Sequence, residues 1–295
     1  MIVVTWNSKD VVEGCLRSIV DEPPNPPWEI IVVDNGSIDG TVDVVRRLAP
    51  STRVIANPTN RGLAAANNQG LVAAEGSRLL ICNPDVVFAP GAIDALDAAL
   101  ARHPKAGWVI PRLRYEDGRL QTSAGDLPSL AQAVFGRQVG RRRSAGIPRG
   151  FWWDGWPHDE ERAVGRGHEA AYLIRRQAVA EIGLQDEHYV LDWEGFDWTD
   201  RLRKAGWEVW LAPDANVVHL GGASIRQVPV RWVVSQHRGM YRYFSRRRPP
   251  WWRPGLAVVF GLRAMLKLSV LRAGMPLYQW AHQGLGQPGA ESEAP

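Results

Sequence analysis

The sequence predicts an α/β protein built on a mostly parallel, doubly wound sheet. Short runs rich in Val and Ile alternate with stretches of helical periodicity over residues 1–113, the rhythm of successive β-α units. Polar residues gather where three of the predicted strands end, which is where open α/β sheets bind ligands. At 295 residues and 45% hydrophobic content, the chain is long enough to bury a large core.

The elements follow in order. "IVVT" (2–5) is the first strand, and Val11, Val12, Cys15, Leu16 and Ile19 recur behind it at helical spacing. "WEIIVVD" (28–34) precedes a helix marked by Val42, Val45 and Leu48; "RVIA" (53–56) precedes the Ala-rich 63–74; "RLLICN" (78–83) precedes "GAIDALDAALARH". Residues 114–168, rich in Gly, Pro, Arg and Trp, break the rhythm and read as an irregular excursion carrying substrate contacts or a mobile loop. Within it Trp152, Trp153, Asp154, Trp156 and His158 form either a sugar-stacking platform or packing over the core. Regular patterns return with "EAAYLIRR" (169–176), the helix-like "FDWTDRLRKAG" (196–206) and the strand-like "WEVWLAP" and "NVVHL".

Charge divides the chain. Eleven Lys and Arg and no acid fall between Ala215 and Ala290, whereas residues 1–214 hold 24 basic and 29 acidic groups. This reads as a domain over 1–225, a basic, aromatic, helical arm over 226–282 and a flexible tail over 283–295. Such asymmetry points to an anionic surface, nucleic acid or phospholipid. The arm's Trp232, Tyr241, Tyr243, Phe244, Trp251 and Trp252 suit base stacking. The apolar "GLAVVFGLRAMLKLSVL" (255–271), interrupted by Arg263 and Lys267, better suits a helix lying in a bilayer interface, entering it through Leu256, Val259, Phe260, Leu266 and Trp280. An anionic membrane surface is therefore expected as partner, and nucleic acid is not. Cys15 and Cys82 read as reduced core residues, and "IVVTW" reads as a strand and not as a leader. The expected location is cytoplasmic, peripheral on the inner face of the cell membrane.

The strand ends are "TWNS" (Thr5, Asn7, Ser8), "DNGSIDGT" (34–41) and "NPDV" (Asn83, Pro84, Asp85). Ser8, Gly36, Ser37 and Asp39 are ordinary turn and cap residues. Asp34 and Asp85, at strand tips, suit a ribose, a base edge or a metal. No G-x-G-x-x-G follows the first strand and no G-x-x-x-x-G-K-[ST] occurs, which argues against dinucleotide oxidoreductases and P-loop NTPases. What remains is a fold that holds a nucleotide through strand-end side chains and its diphosphate through a divalent cation, Mg²⁺ or Mn²⁺, a task that suits Asp85.

The series "VVTWNS", "IIVVDNGSIDGT", "NRGLAAANNQG", "LLICNPDV", "AAYLIRR" and "RLRKAGWEVWLAPDANVVHLGGAS" resembles the GT-A-fold inverting glycosyltransferases of family 2, over roughly residues 1–225. "NPDV" and the following "PGAIDAL" resemble the rhamnosyltransferase branch, which adds L-rhamnose from dTDP-rhamnose to polyprenyl-diphosphate-linked sugars in cell-wall or polysaccharide assembly. The resemblance implies a nucleotide-sugar donor, a glycan or polyprenyl-linked acceptor and a single displacement, with the excursion over 114–168 expected on the acceptor side. It assigns Thr5, Asn7, Asp34 and Asn35 to the nucleoside, and Asn60, Gly62, Asn67 and Gly70 to the segment that closes over the nucleotide. Asp85 takes the place of the last acid of a metal-binding triplet, Asn83 replaces the triplet's first acid, and His219 matches a histidine that approaches metal or diphosphate in some relatives.

Within "LDWEGFDWTDRL" (191–202), the resemblance sets Glu194–Gly195 where relatives carry an acid pair, so Gly195 replaces the catalytic aspartate. Asp192 suits a helix N-cap, while Asp197 with Arg201 and Asp200 with Lys204 are spaced for surface pairing. Glu194 has no such partner, and a helix N-terminus favours its ionised form. Glu194 is thus the expected base, with Asp197 and Asp192 in reserve. The missing aspartate leaves open a nucleotide-sugar-binding scaffold without turnover. A sugar nucleotidyltransferase would need a Gly- and Lys-rich loop where this chain has "TWNSKD".

Overall fold

Ile2 and Val4 face one side of the first strand and Val3 the other, and all three are buried, as a strand covered on both faces requires. The computed structural model describes residues 1–25, 27–144, 147–221 and 227–273. Their elements are β1 (Ile2–Thr5), α1 (Lys9–Val20), β2 (Ile31–Asp34), α2 (Thr41–Leu48), β3 (Arg53–Ala56), α3 (Leu63–Ala73), β4 (Arg78–Cys82), β5 (Val86–Phe88), α4 (Ala92–Arg102), β6 (Ala106–Arg114), β7 (Leu120–Gln121), β8 (Ala124–Gly125), α5 (Leu130–Phe135), β9 (Arg142–Ser144), β10 (Ile147–Arg149), β11 (Arg162–Val164), β12 (Arg166–Gly167), β13 (Ala171–Arg175), α6 (Arg176–Ile182), α7 (Glu194–Lys204), β14 (Glu208–His219), α8 (Pro229–Arg246) and α9 (Arg253–Arg272).

The main sheet runs β11-β14-β6-β13-β4-β1-β2-β3, with β5 beside β14 and β7 beside β6. Strands β14, β6, β4, β1, β2 and β3 point one way, and β13 is inserted antiparallel between β4 and β6. One face is covered by α1, α2 and α4 through residues such as Leu16, Val45 and Leu96. The other is covered by α3, α6 and α7 through Ala66, Val179 and Trp198. The doubly wound reading therefore holds, but periodicity did not show the reversed direction of β13. That direction matters, because the residues leading into β13 arrive beside the end of β4: Ala171 pairs with Cys82, and Asn83 N donates to Ala170 O at 2.8 Å.

The excursion carries more order than expected, including β7, β8, β12 and α5, whose Ser129 and Gln132 form a capping box. Its aromatic cluster divides between the two readings. Trp153, Trp156 and His158 are buried, and burial pushes His158 down to about 4 while its Nε2 accepts from the backbone of Ser123 and Ala124. Trp152 and Asp154 instead line a cavity.

Helices α8 and α9 pack onto the domain. Trp193 and Phe196 meet Met240, Tyr243, Phe244, Leu256 and Phe260 in one cluster. Arg247 reaches Asp197 and Asp200, and Arg242 and Arg246 both reach Asp186, so these arm cations are paired with carboxylates of the domain. Leu256 and Phe260, expected in the bilayer, face this cluster because they fall on the inner stripe of α9 together with Lys267. Val258, Val259, Leu262, Met265 and Leu266 form its exposed side. The segment Pro250–Arg272 is long and apolar enough to cross a membrane by length and composition. Arg226, Trp280 and the tail over 283–295 lie outside the described residues.

Candidate active site

Strands β1 and β2 end in register, with Thr5 opposite Asp34. The buried Asp34 carboxylate accepts from Thr5 Oγ1 at 2.8 Å, Ser37 Oγ at 2.5 Å and Ser37 N at 2.9 Å. Asn7, at φ 47°, donates its N–H to Ser37 Oγ at 2.8 Å, and its Oδ1 accepts from Ile38 N at 3.0 Å. Asn35 Nδ2 donates to Asn60 Oδ1 at 3.1 Å and to Gly62 O at 3.2 Å, and Asn60 Oδ1 also accepts from Gly62 N. The structure thus joins Thr5, Asn7, Asp34, Asn35, Asn60 and Gly62 into one bonded rim at the strand ends. Two assigned residues stand apart from it. Asn67 is buried and donates to Gln185 Oε1 at 3.0 Å, tying α3 to the loop before α7. Gly70 lets α3 seat on β1, since a Cβ there would lie 2.3 Å from Ile2 Cγ2.

On the other side of the sheet's end, the pairing of His219 with Val86 brings His219 Nε2 to 3.5 Å from Asp85 Oδ1, both side chains being buried. His219 Nδ1 lies 3.0 Å from Gln121 Oε1. A neutral imidazole that donates Nδ1–H to Gln121 presents the Nε2 lone pair toward the Asp85 carboxylate. Two electron-pair donors converging in this way fit a divalent cation. No cluster of three or more His, Cys, Asp or Glu able to hold a metal is found among the described residues. The pair therefore fits an ion that completes its shell with phosphate oxygens and water, as Mg²⁺ does. Asn83, partly exposed in the same turn, adds no formal charge.

The third group gathers at the start of α7. Asp192 and Trp193 both adopt left-handed backbone, at φ 74° and 80°, conformations held by the surrounding contacts. The N-cap is consequently Trp193 rather than Asp192. Asp192 Oδ1 accepts from Trp193 N at 2.9 Å and Oδ2 from Gln236 Nε2 at 3.1 Å. Glu194 is 2% exposed and its Oε2 has no partner among the described residues. Burial first, then Glu169 and Asp192, hold its carboxyl well above the usual carboxylate range. The expectation that the helix terminus keeps Glu194 ionised is thereby reversed, because desolvation shifts a carboxyl by up to about 3–5 units while a helix dipole contributes roughly 0.3–2 kcal/mol. Asp197 pairs with Arg201 at 3.0 Å, as its spacing implied, but it is buried and also held by Arg247 at 3.1 Å.

Glu169, which precedes β13, was not among the residues expected at the site. Its carboxyl is pushed up to about 7 by burial and Asp192, with Arg166 opposing. Arg166 is itself buried against the faces of Trp152, Phe151 and Phe196, its guanidinium carbon 3.7 Å from the Trp152 ring centroid. Its only sequence signal was an acid directly before "AAYLIRR", uninformative until β13 is set beside the end of β4.

Next to these acids lies a cavity of about 260 Å³, lined by Arg137, Trp152, Asp192, Gln236, Arg263 and Lys267 among others. Lys267 is 8% exposed and donates to Gln236 Oε1 at 2.8 Å. Burial, with Arg263 and Arg137 alongside, pushes its ammonium down to about 7. With Lys267 protonated, three cations face Asp154 and Asp192 and the lining is net positive.

The strand ends of this sheet thus carry a polar rim, a buried Asp-His pair and an acid cluster, an arrangement suited to holding a polar ligand beside titratable carboxyls. A profile for glycosyl transferase family 2 matches residues 1–154. The chain is 31% identical over 271 residues, 87% of each chain, to the N-acetylglucosaminyl-diphospho-decaprenol L-rhamnosyltransferase of Mycobacterium tuberculosis (strain ATCC 25618 / H37Rv). Its fold is shared with the mannosyltransferase PcManGT from Pyrobaculum calidifontis, solved with GDP-Man and Mn²⁺, at TM-score 0.56 and 18% identity over 97% of this chain and 75% of that one. It is also shared with GalNAc-T7, solved with UDP, GalNAc and Mn²⁺, at TM-score 0.53 and 16% identity, where the match covers 74% of this chain and spans 43% of that one. The chain belongs to glycosyl transferase family 2 and is a glycosyltransferase.

Proposed function

We propose that this enzyme transfers L-rhamnose from dTDP-rhamnose, with inversion, to a hydroxyl of a polyprenyl-diphosphate-linked saccharide at the inner face of the cell membrane, within cell-wall or polysaccharide assembly. The observation that carries the reading is one cavity that Asp192 shares with Arg137, Arg263 and Lys267, walled by a helix whose outer side is apolar and exposed. A diphosphate lipid needs both features side by side, cations for its phosphates and a route to its chain. The relative in Mycobacterium tuberculosis, whose name specifies rhamnose and a diphospho-decaprenol acceptor, supports the choice of substrates.

In this reading the Thr5–Asp34–Asn35 rim, with Asn7, Asn60 and Gly62, holds the nucleoside. Asp85 and His219 hold Mg²⁺ or Mn²⁺, which when bound neutralises charge on the departing diphosphate. Arg137, Arg263 and Lys267 grip the acceptor diphosphate and orient its sugar toward the acids at the start of α7. A carboxylate from the cluster that Glu169 forms with the first turn of α7 removes the proton of the attacking hydroxyl, and a single displacement needs no enzyme nucleophile. Val258, Leu262, Met265 and Leu266 rest in the bilayer interface, flanked by the exposed Arg253 and Arg272.

The test is a donor screen on the full chain with a short polyprenyl-diphosphate-GlcNAc acceptor and divalent cation. Transfer from dTDP-rhamnose and not from UDP-GlcNAc or GDP-mannose is expected. Efficient transfer from one of those two alone would overturn the donor, and nucleotide binding without turnover of any donor would leave a scaffold.

A further inference from the structure

A Cβ built on Gly195 would lie 1.8 Å from the carboxyl carbon of Glu169 and 2.0 Å from each of its oxygens. The Glu169 carboxyl therefore occupies the space that any side chain at 195 would enter, against the first turn of α7. It reaches there from an independent direction. Glu169 stands one residue before Ala170, whose carbonyl accepts the Asn83 N–H, so its backbone runs beside the Asn83–Asp85 turn. The neighbouring His168 ring packs edge-on against His219 at 5.2 Å. Glu169 thus stands between the Asp85–His219 pair and the acids bordering the acceptor cavity.

We infer that Glu169 is the catalytic base, and that the carboxylate serving the first turn of α7 is delivered from the segment before β13 into the space left by Gly195. The inference rests on the transferase reading above. Each competing acid is committed elsewhere. Glu194 is sealed from solvent, Asp197 is clasped by Arg201 and Arg247, and Asp192 is bonded to Trp193 N and Gln236. Glu169 as a residue keeps some exposure although its carboxyl lies deep enough for burial to raise its proton affinity, and no hydrogen bond or ion pair engages that carboxylate among the described residues.

The charged groups that face it are Asp192 and Glu194 from the start of α7 and Arg166 from β12. Burial first and then Asp192 raise its proton affinity, and Arg166 limits the rise, which leaves a carboxylate that gains and loses a proton near neutrality. In the step itself the acceptor oxygen bonds to the anomeric carbon while its proton passes to Glu169. The anomeric C–O bond to the nucleoside diphosphate breaks, and its electron pair leaves with the diphosphate. Glu169 then returns the proton to solvent.

The experiment compares wild type, Glu169→Gln, Glu169→Asp and Glu194→Gln for transfer and for dTDP binding, at saturating donor and acceptor. Loss of a general base lowers the rate by about 10²–10⁴-fold. Glu169→Gln is expected to lose at least a hundredfold in kcat with dTDP affinity kept within about threefold, Glu169→Asp to recover part of it, and Glu194→Gln to stay within tenfold of wild type. A second pair guards against a folding defect: Glu169→Gly should be inactive, and adding Gly195→Asp to it should recover at least tenfold. Wild-type-like kcat in Glu169→Gln, or no recovery in the double variant, overturns the assignment while the transferase reading stands. Absence of transfer in the wild type itself rejects that reading and this inference with it.

Discussion

Glu169 and Gly195 share one volume: the carboxyl of the first fills the place where a side chain on the second would begin. Gly195→Ala must therefore displace either the Glu169 carboxyl or the first turn of α7. Overpacking of this kind costs about 1–3 kcal/mol. The melting temperature should fall, and transfer should drop by more than tenfold with dTDP affinity retained. A variant with unchanged kcat would show that the carboxyl does not need this position.

With Glu169 pushed up to about 7, the base is charged above that value and protonated below it. The transfer rate should rise with pH through about 7 and level off above it. At pH 5.5 it should stand about thirtyfold below the plateau, following one protonation. Glu169→Asp should retain an ascending limb with its midpoint at lower pH, and the limb should vanish from the residual rate of Glu169→Gln. A wild-type profile flat between pH 5.5 and 8.5 would contradict this.

Glu194 makes an opposite demand on stability. Its folded-state proton affinity is raised, so the stability it contributes is present below its unfolded value of about 4.5 and is lost as pH rises through the folded one. A neutral glutamine imitates the protonated carboxyl. Glu194→Gln should accordingly melt at a higher temperature than wild type at pH 9, with little difference at pH 4.5. Thermal denaturation at both values checks the sign.

Lys267 is pushed down to about 7 by burial and by Arg263 and Arg137, and a bound diphosphate would favour its charged form. Binding of a short polyprenyl diphosphate at pH 8 should then draw up protons. Titration calorimetry in buffers of different ionisation enthalpy reads this directly, and Lys267→Met should abolish most of the uptake. The same variant should raise the acceptor KM at least tenfold and leave the dTDP affinity unchanged.

The exposed side of α9 gives a prediction for the membrane. Replacing Leu262 and Leu266 by Glu puts two charges on a face that is otherwise apolar, without touching Leu256, Phe260 or Lys267 on the inner side. The double variant should no longer sediment with anionic vesicles and should still glycosylate a water-soluble acceptor. Equal sedimentation would remove this face from the contact.

Most of the sheet was legible because each element there is decided by its own residues. The apolar runs from Ile2 to Cys82 and the helices between them show their period locally, and the Asp197–Arg201 and Asp200–Lys204 pairs follow from spacing alone. The rim residues Asp34 and Asn35 stood out for the same reason, being polar at the tip of an apolar strand. What stayed hidden depends on partners distant in sequence. The reversed direction of β13 brings Glu169 beside the Asn83 turn, and Arg247 reaches back across the fold to Asp197. Of the two readings of Asp192 the cap fails, because two successive left-handed residues, neither of them Gly or Asn, leave no mark in composition.

Inverting transfer of rhamnose to a lipid-linked sugar can be observed by incubating the full chain with dTDP-rhamnose, a divalent cation and polyprenyl-diphosphate-GlcNAc, then reading the anomeric configuration of the product by NMR. A disaccharide lipid whose rhamnose has the anomeric configuration opposite to that of the donor is expected. A retained configuration, or intact donor after it has demonstrably bound alongside the acceptor, would contradict it.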